Sequence, residues 1–227
     1  TVPYASSYRL DVYTGSDISD LFFSEYIEGT SYNKAIEIYN GTGATVDLGN
    51  YKLQLFSNGA STASSTLDLS GTLANAEVYV IAHPSANANI LAEADLTSST
   101  VINFNGDDAL ALYKISANSY VDIFGRIGED PGDYWGTPPN ITKDQTLVRK
   151  TSISSGISQN PSSGFPTLIT EWDFYPVDTT TYLGSHTYGS KAISYVPGYQ
   201  NLDVSNVTSY LVTGLNENTD YHYRVRA

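Results

Sequence analysis

The side chains able to do chemistry are few and scattered. Three histidines occur, His83, His186 and His222, and none has another histidine three to five residues away, so no paired-histidine metal motif is present. Cysteine is absent, which removes thiolate nucleophiles and thiolate zinc sites. Serine-rich stretches such as 152–158 lack the Gly-x-Ser-x-Gly elbow that would present a nucleophile. No Gly-Lys-Ser/Thr loop is available to cradle phosphate. His83 stands before Pro84 at a strand end, where a structural role is expected, and His222 is expected on the exposed side of a strand.

Carboxylates carry more weight. Glu129-Asp130-Pro131-Gly132-Asp133 places three acids in a five-residue loop, and Asp107-Asp108 occupies a second turn. Calcium takes several oxygen ligands from flexible loops, so Glu129, Asp130, Asp133, Asp107 and Asp108 are the calcium candidates. The loop lacks EF-hand spacing, and a solvated acidic loop is the competing reading. Beside it, Tyr134-Trp135-Gly136 with Pro138-Pro139 sets aromatics among rigid residues. Tyr134 and Trp135 read either as a contact surface for protein or carbohydrate or as a plug over one end of the fold.

The elements that must position these residues are strands. Ala35 to Tyr39 alternates apolar and polar residues and ends at the turn pair Asn40-Gly41. Tyr51 to Leu55 repeats the period of two, and Val78 to Ile81 is a short apolar run ended by His83-Pro84. Val101 to Phe104 and Ala109 to Tyr113 flank Asn105-Gly106-Asp107-Asp108, which predicts a hairpin between them. Tyr120 to Gly125, Thr146 to Arg149 and Trp172 to Tyr175 complete the set. The one helix expected spans Asn87 to Ala94, with Ser85 as its cap. Residues 127–142 and 152–166, rich in Gly, Pro, Ser and Asn, are expected to be surface loops. Many short strands with turns between them predict an all-β sandwich or barrel.

Composition excludes several function classes. A net charge of -13 with only 11 Lys and Arg, none clustered, opposes binding to nucleic-acid phosphates. No apolar run is long enough for a membrane span, and no secretory leader is visible. Methionine is absent, so the chain is expected to be a piece of something longer. Tyrosine outnumbers phenylalanine, 19 to 7, as suits exposed strands and extracellular surfaces.

The order of these segments resembles the lamin-tail family of exported bacterial proteins and nuclear lamins. Leu21 to Thr30, Asn33 to Asn40, Val46 to Leu48 and Tyr51 to Leu53 carry the likeness, followed by Ala82-His83-Pro84 and Phe104 to Leu112. Val121 to Gly125, Pro131 to Gly136, Thr146 to Lys150 and Trp172 to Pro176 follow in order. The resemblance implies an immunoglobulin-like β-sandwich with no catalytic role. The chain ends resemble another module: Thr208 to Leu215 and Asn218 to Ala227 look like the last half of a fibronectin type III module, with Tyr221 at the position of its corner tyrosine. Ser7 to Tyr13 looks like an earlier strand of the same kind of module, and Tyr199 to Val204 like the strand after it.

The expected organisation is thus residues 17–188 inserted into a split, incomplete fibronectin-like module made of 1–16 and 189–227. The alternative makes 1–16 an extra strand of the central domain. The leading functional expectation is a non-enzymatic extracellular module, serving adhesion, binding or spacing in a larger bacterial secreted or surface protein. Protein or polysaccharide partners suit such a role, as does self-association through the incomplete fibronectin-like sheet. The alternatives are an accessory domain of a secreted nuclease or phosphatase and, more weakly, a carbohydrate-binding module. No cofactor is expected beyond the calcium of the acidic turns.

Overall fold

Alternating sequences become strands here wherever a turn ends them, and the strands pair mostly with antiparallel neighbours. The computed structural model describes residues 6–14, 18–189, 194–217, 219 and 221–227. Packing divides the chain into two compact units, Ile18–Tyr188 and a smaller one drawn from Thr1–Asp17 and Gly189–Ala227. The smaller unit opens with β1 (Arg9–Thr14). The larger unit then runs through β2 (Phe22–Glu28), β3 (Lys34–Tyr39), β4 (Val46–Asp47), β5 (Tyr51–Phe56), β6 (Ser65–Asp68), β7 (Thr72–Leu73) and β8 (Val78–Ala82). Next come α1 (Ala88–Glu93), β9 (Leu96–Thr97), β10 (Ala109–Lys114), β11 (Ser119–Phe124), β12 (Gly136–Thr137) and β13 (Asn140–Ile141). β14 (Gln145–Arg149), α2 (Leu168–Glu171) and β15 (Trp172–Pro176) complete it. The smaller unit resumes with β16 (Ser194–Tyr195), β17 (Leu202–Asp203) and β18 (His222–Arg226).

In the larger unit, a four-stranded sheet of order β11-β10-β5-β6 packs on a six-stranded sheet of order β15-β14-β2-β3-β8-β9. The core between them includes Phe23, Tyr26, Ile36, Ile38, Leu53, Leu110, Phe124, Leu147 and Trp172. Tyr26 lies stacked on Phe104 and Phe124, with ring centroids 4.8 and 4.2 Å away. β2 and β3 are buried along their whole length, so both faces of the larger sheet are covered. The outer face is packed by α1 and by the segment after β15, through Ile27, Ala35, Val80, Ile90 and Leu183. Tyr188 packs on the cluster containing Ile18, so the two ends of this unit meet.

Two local expectations are corrected. Val101, Ile102 and Phe104 form no strand; they enter the core as an irregular segment, and β10 pairs with β5 and β11 instead. Burying these large side chains favours the irregular course over a ladder, and the Asp108 carboxylate accepts the Asn105 N–H at 2.7 Å to hold the turn. α1 is capped by Asn87 rather than Ser85: its Oδ1 accepts the amides of Asn89 and Ile90, both at 3.0 Å. Ser85 instead donates its amide to His83 Nδ1. An Asn87→Ala change is expected to lower stability by about 1 kcal/mol in urea unfolding, and an unchanged midpoint would contradict the capping role.

In the smaller unit, β1 pairs with β16 and β17 on one side and with β18 on the other. Leu10 and Val12 of β1 are buried with Val196, against Tyr199, Val204, Val212 and Tyr221.

Candidate functional site

The acidic turns are held by the chain itself. Glu129 pairs with Arg126 at 2.7 Å and also accepts the Gly164 amide. Asp130 accepts the Gly132 amide across its own turn. Asp108 is buried and its two oxygens accept the amides of Asn58 and Asn105; burial raises its pKa and those bonds oppose the rise. Of the five calcium candidates, Asp107 and Asp133 line a cleft of about 200 Å³, where Lys143 and Glu28 join them. Glu28 is already committed to Lys34 at 2.5 Å and to the Asp144 amide. Among the described residues no three His, Cys, Asp or Glu side chains converge to hold a metal. Millimolar calcium is therefore expected to leave the melting temperature unchanged; a clear upward shift would show a site assembled by other oxygens.

Trp135 is 2% exposed, so it cannot offer its ring to a partner, and the contact-surface reading is withdrawn for this residue. Its indole N–H donates to the Asp108 carbonyl at 3.0 Å, and its ring lies in the inter-sheet core. Gly125, at φ +80, gives the indole room: a Cβ there would lie 2.9 Å from Nε1. Thr142 Oγ1 donates to the Gly106 carbonyl and accepts the Trp135 amide, tying this loop to the β10 turn. Tyr134 beside it is half-buried.

The histidines stay apart. His83 is buried under the ring of Tyr32, 4.4 Å between centroids. His222 stacks on Tyr13 within the smaller unit. His186 packs edge-on against Phe22 and Tyr39.

The most connected charged cluster was not apparent from sequence. Arg149, 2% exposed at the end of β14, contacts Asp122 of β11 at 3.0 Å and Glu171 at 2.6 Å. Its guanidinium also lies over the rings of Trp172 and Phe22, at 5.0 and 5.7 Å. Asp122 in turn accepts the amides of Phe23 and Ile157. One carboxylate thus fastens both sheets and the 152–166 loop. Both of its oxygens are engaged in these structural contacts. The only hint in the sequence was a charged residue at an inward position of each strand.

The surface with unsatisfied packing lies in the smaller unit. Tyr223 and Val225 of β18 oppose Val12 and Leu10 in register, so they share the apolar face of that sheet. They nevertheless remain 54% and 63% exposed, and Leu211 is 82% exposed. Tyr8, Leu10, Val204, Val207, Tyr210 and Val225 line a groove of about 280 Å³ on this unit. Among the described residues no strand pairs the second edge of β18.

Searches of curated proteins and of solved structures gave no significant match. The family model described as lamin tail domain matches residues 14–128. That span takes in β2 to β11, hence the four-stranded sheet and most strands of the six-stranded one. The all-β, immunoglobulin-like sandwich and this match agree, and the chain belongs to the lamin tail domain family.

Proposed function

We propose that this chain is a non-catalytic module that binds, attaches or spaces domains within a larger bacterial secreted or surface protein. The observation that carries the reading is where the polar side chains of the sandwich go. Asp108, Asp122, Arg149, Glu28 and Lys34 are all buried and bonded to backbone or to one another, so they serve as fasteners. A tyrosine-rich chain with an acidic surface suits an extracellular setting. Protease added to intact producing cells tests the location. Cleavage of the protein on the surface or recovery in the medium supports it, and full protection inside the cells sinks it.

The smaller unit is read as a fibronectin type III-like module split by the larger one. Three features support this: β1 pairs with β18, Asn216 donates its amide to the Tyr221 hydroxyl at 2.9 Å in the manner of a tyrosine corner, and the ends of the larger unit meet. Val12 is fully buried in this unit, so Val12→Asp is expected to abolish amide protection in 194–226 while the larger unit still melts at its usual temperature. Loss of both units together would reject independent folding.

The apolar face around Tyr223 and Val225 suits contact with a second copy of the chain, because an exposed contiguous apolar patch tends to be an interface. Val225→Lys is expected to abolish any dimer seen by sedimentation equilibrium. A chain that stays monomeric at millimolar concentration rules the contact out.

A further inference from the structure

The segment 177–188 lies along the outer face of the six-stranded sheet. Asp178 anchors its start, accepting the Thr30 amide at 2.9 Å, the Thr30 hydroxyl at 2.6 Å and the Asn33 side-chain amide at 2.9 Å. Thr179 offers its carbonyl to the Thr146 hydroxyl. Leu183 packs with Ile27, Ala35 and Val80, and His186 and Tyr188 pack near Phe22 and Tyr39. Beneath this strap sit two carboxylic acids on adjacent strands. Glu25 and Glu37 are direct partners across β2 and β3, next to a register shift at Ser24, and each is 1% exposed. Glu37 accepts the Ser24 hydroxyl at 2.6 Å and, from the strap, the Gly184 amide at 2.8 Å. Both oxygens of Glu25 are buried and have no hydrogen-bond partner. An unbonded buried carboxylate is costly, and cost of this kind calls for an explanation.

We propose that the 177–188 strap is a proton-operated clasp, closing over Glu25 and Glu37 while the pair holds protons and loosening as the pair gains charge. Two like charges on adjacent strands, taken out of water, cannot both ionise cheaply. Burial pushes Glu25 up to about 9, with the Glu37 charge adding to the rise. Burial also pushes Glu37 up to about 7, against the lowering bonds from Ser24, Gly184 and Ser185.

The other groups facing the pair come from every neighbouring element. Asp95, which holds the Val80 amide, adds negative charge near Glu37. Glu93 of α1 lies against Gly184, and Tyr175 of β15 feels Glu25 and Asp173 and bonds to Tyr182 of the strap. His186 of the strap is pushed down to about 4 by burial and by the Arg149 charge. Opening lets the carboxyls return toward 4.5 and His186 toward 6.5. Between 6.5 and 9 only the carboxyls change, so opening releases their protons and becomes easier as pH rises. Below 6.5 the histidine takes up a proton on opening and works in the other direction. The clasp is therefore tightest in mild acid.

Hydrogen exchange at the Gly184 and Ser185 amides of the full chain tests this, corrected for the intrinsic rate at each pH. One linked proton predicts an opening constant that rises about tenfold per pH unit from about pH 7.5 to about pH 8.5. In Glu25→Gln that slope is expected to vanish. A flat profile in the unaltered chain, or an equal slope in the variant, overturns the proposal. Should the variant fail to fold, the carboxyl-carbon NMR titration of Glu25 in the unaltered chain decides: a midpoint below about pH 5 rejects the clasp. Protection restored at alkaline pH by calcium chloride would assign the pair to a cation and also reject it.

Discussion

Alanine at position 122 is expected to destabilise the larger unit by about 3–5 kcal/mol, the usual cost of removing one partner of a buried charge pair. The Asp122 carboxylate is fully buried and takes four roles: it accepts the Phe23 and Ile157 amides, meets the Arg149 guanidinium and leans on Gly156. Removing it leaves two amides and half of a buried guanidinium without an acceptor, while Glu171 still holds the other half. The remaining positive charge, surrounded by Trp172 and Phe22, is what costs most. Replacing Asp122 and Arg149 together, by asparagine and methionine, is expected to lose less than the single change to alanine, because the buried guanidinium goes with its partner and only the partly exposed Glu171 is left unpaired. Urea unfolding of the three proteins reads this directly. A loss under about 1 kcal/mol for the single variant would mean that Arg149 finds water or another acceptor.

The second large effect is a loss of stability with rising pH. Glu25 has its folded pKa near 9 against 4.5 in the open chain, so its contribution is whole below 4.5 and disappears as pH climbs through 9. Each linked proton is worth about 1.4 kcal/mol per pH unit, and the slope halves as pH reaches 9, which makes the fall between pH 7 and 9 about 2 kcal/mol for Glu25. Glu37, near 7, adds its share below neutrality. Glu25→Gln is expected to be the more stable protein at about pH 8.5 and to lose that advantage near pH 4.5, measured by denaturant titration at each pH. Parallel profiles for the two proteins would place the pH dependence elsewhere.

The strands were legible because a period of two survives in Ala35 to Tyr39 and Tyr51 to Leu55. The same period concealed the acid pair. In Ala-Ile-Glu-Ile-Tyr an alternating glutamate reads as the wet side of a strand, yet Glu37 is buried because the strap covers that side. Local alternation reports which residues share a face, and only distant chain decides whether the face meets water. Asp122 and Arg149 failed for the complementary reason: each faces inward, and their pairing spans 27 residues between different sheets. The Val101–Phe104 segment misled in a third way, since a short apolar run has the same composition whether it pairs or only fills a core. Trp135 could be read as surface or plug, and nothing short of the core geometry separates those roles.

The pairing of β1 with β18 sets a timetable for the nascent chain. Asp11 contacts Arg226 across 215 residues of sequence, so β1 must wait for β18 before the two can pair. At ribosomal speeds that wait lasts roughly 10–40 s. The larger unit has every strand it needs well before then, and by folding it brings Ile18 and Tyr188 into one cluster. A loop that would otherwise have to close by chance is thereby shortened to the few residues outside each end. Folding order, on this account, is written into the topology: Ile18–Tyr188 is complete in the growing chain before β1 and β18 can pair.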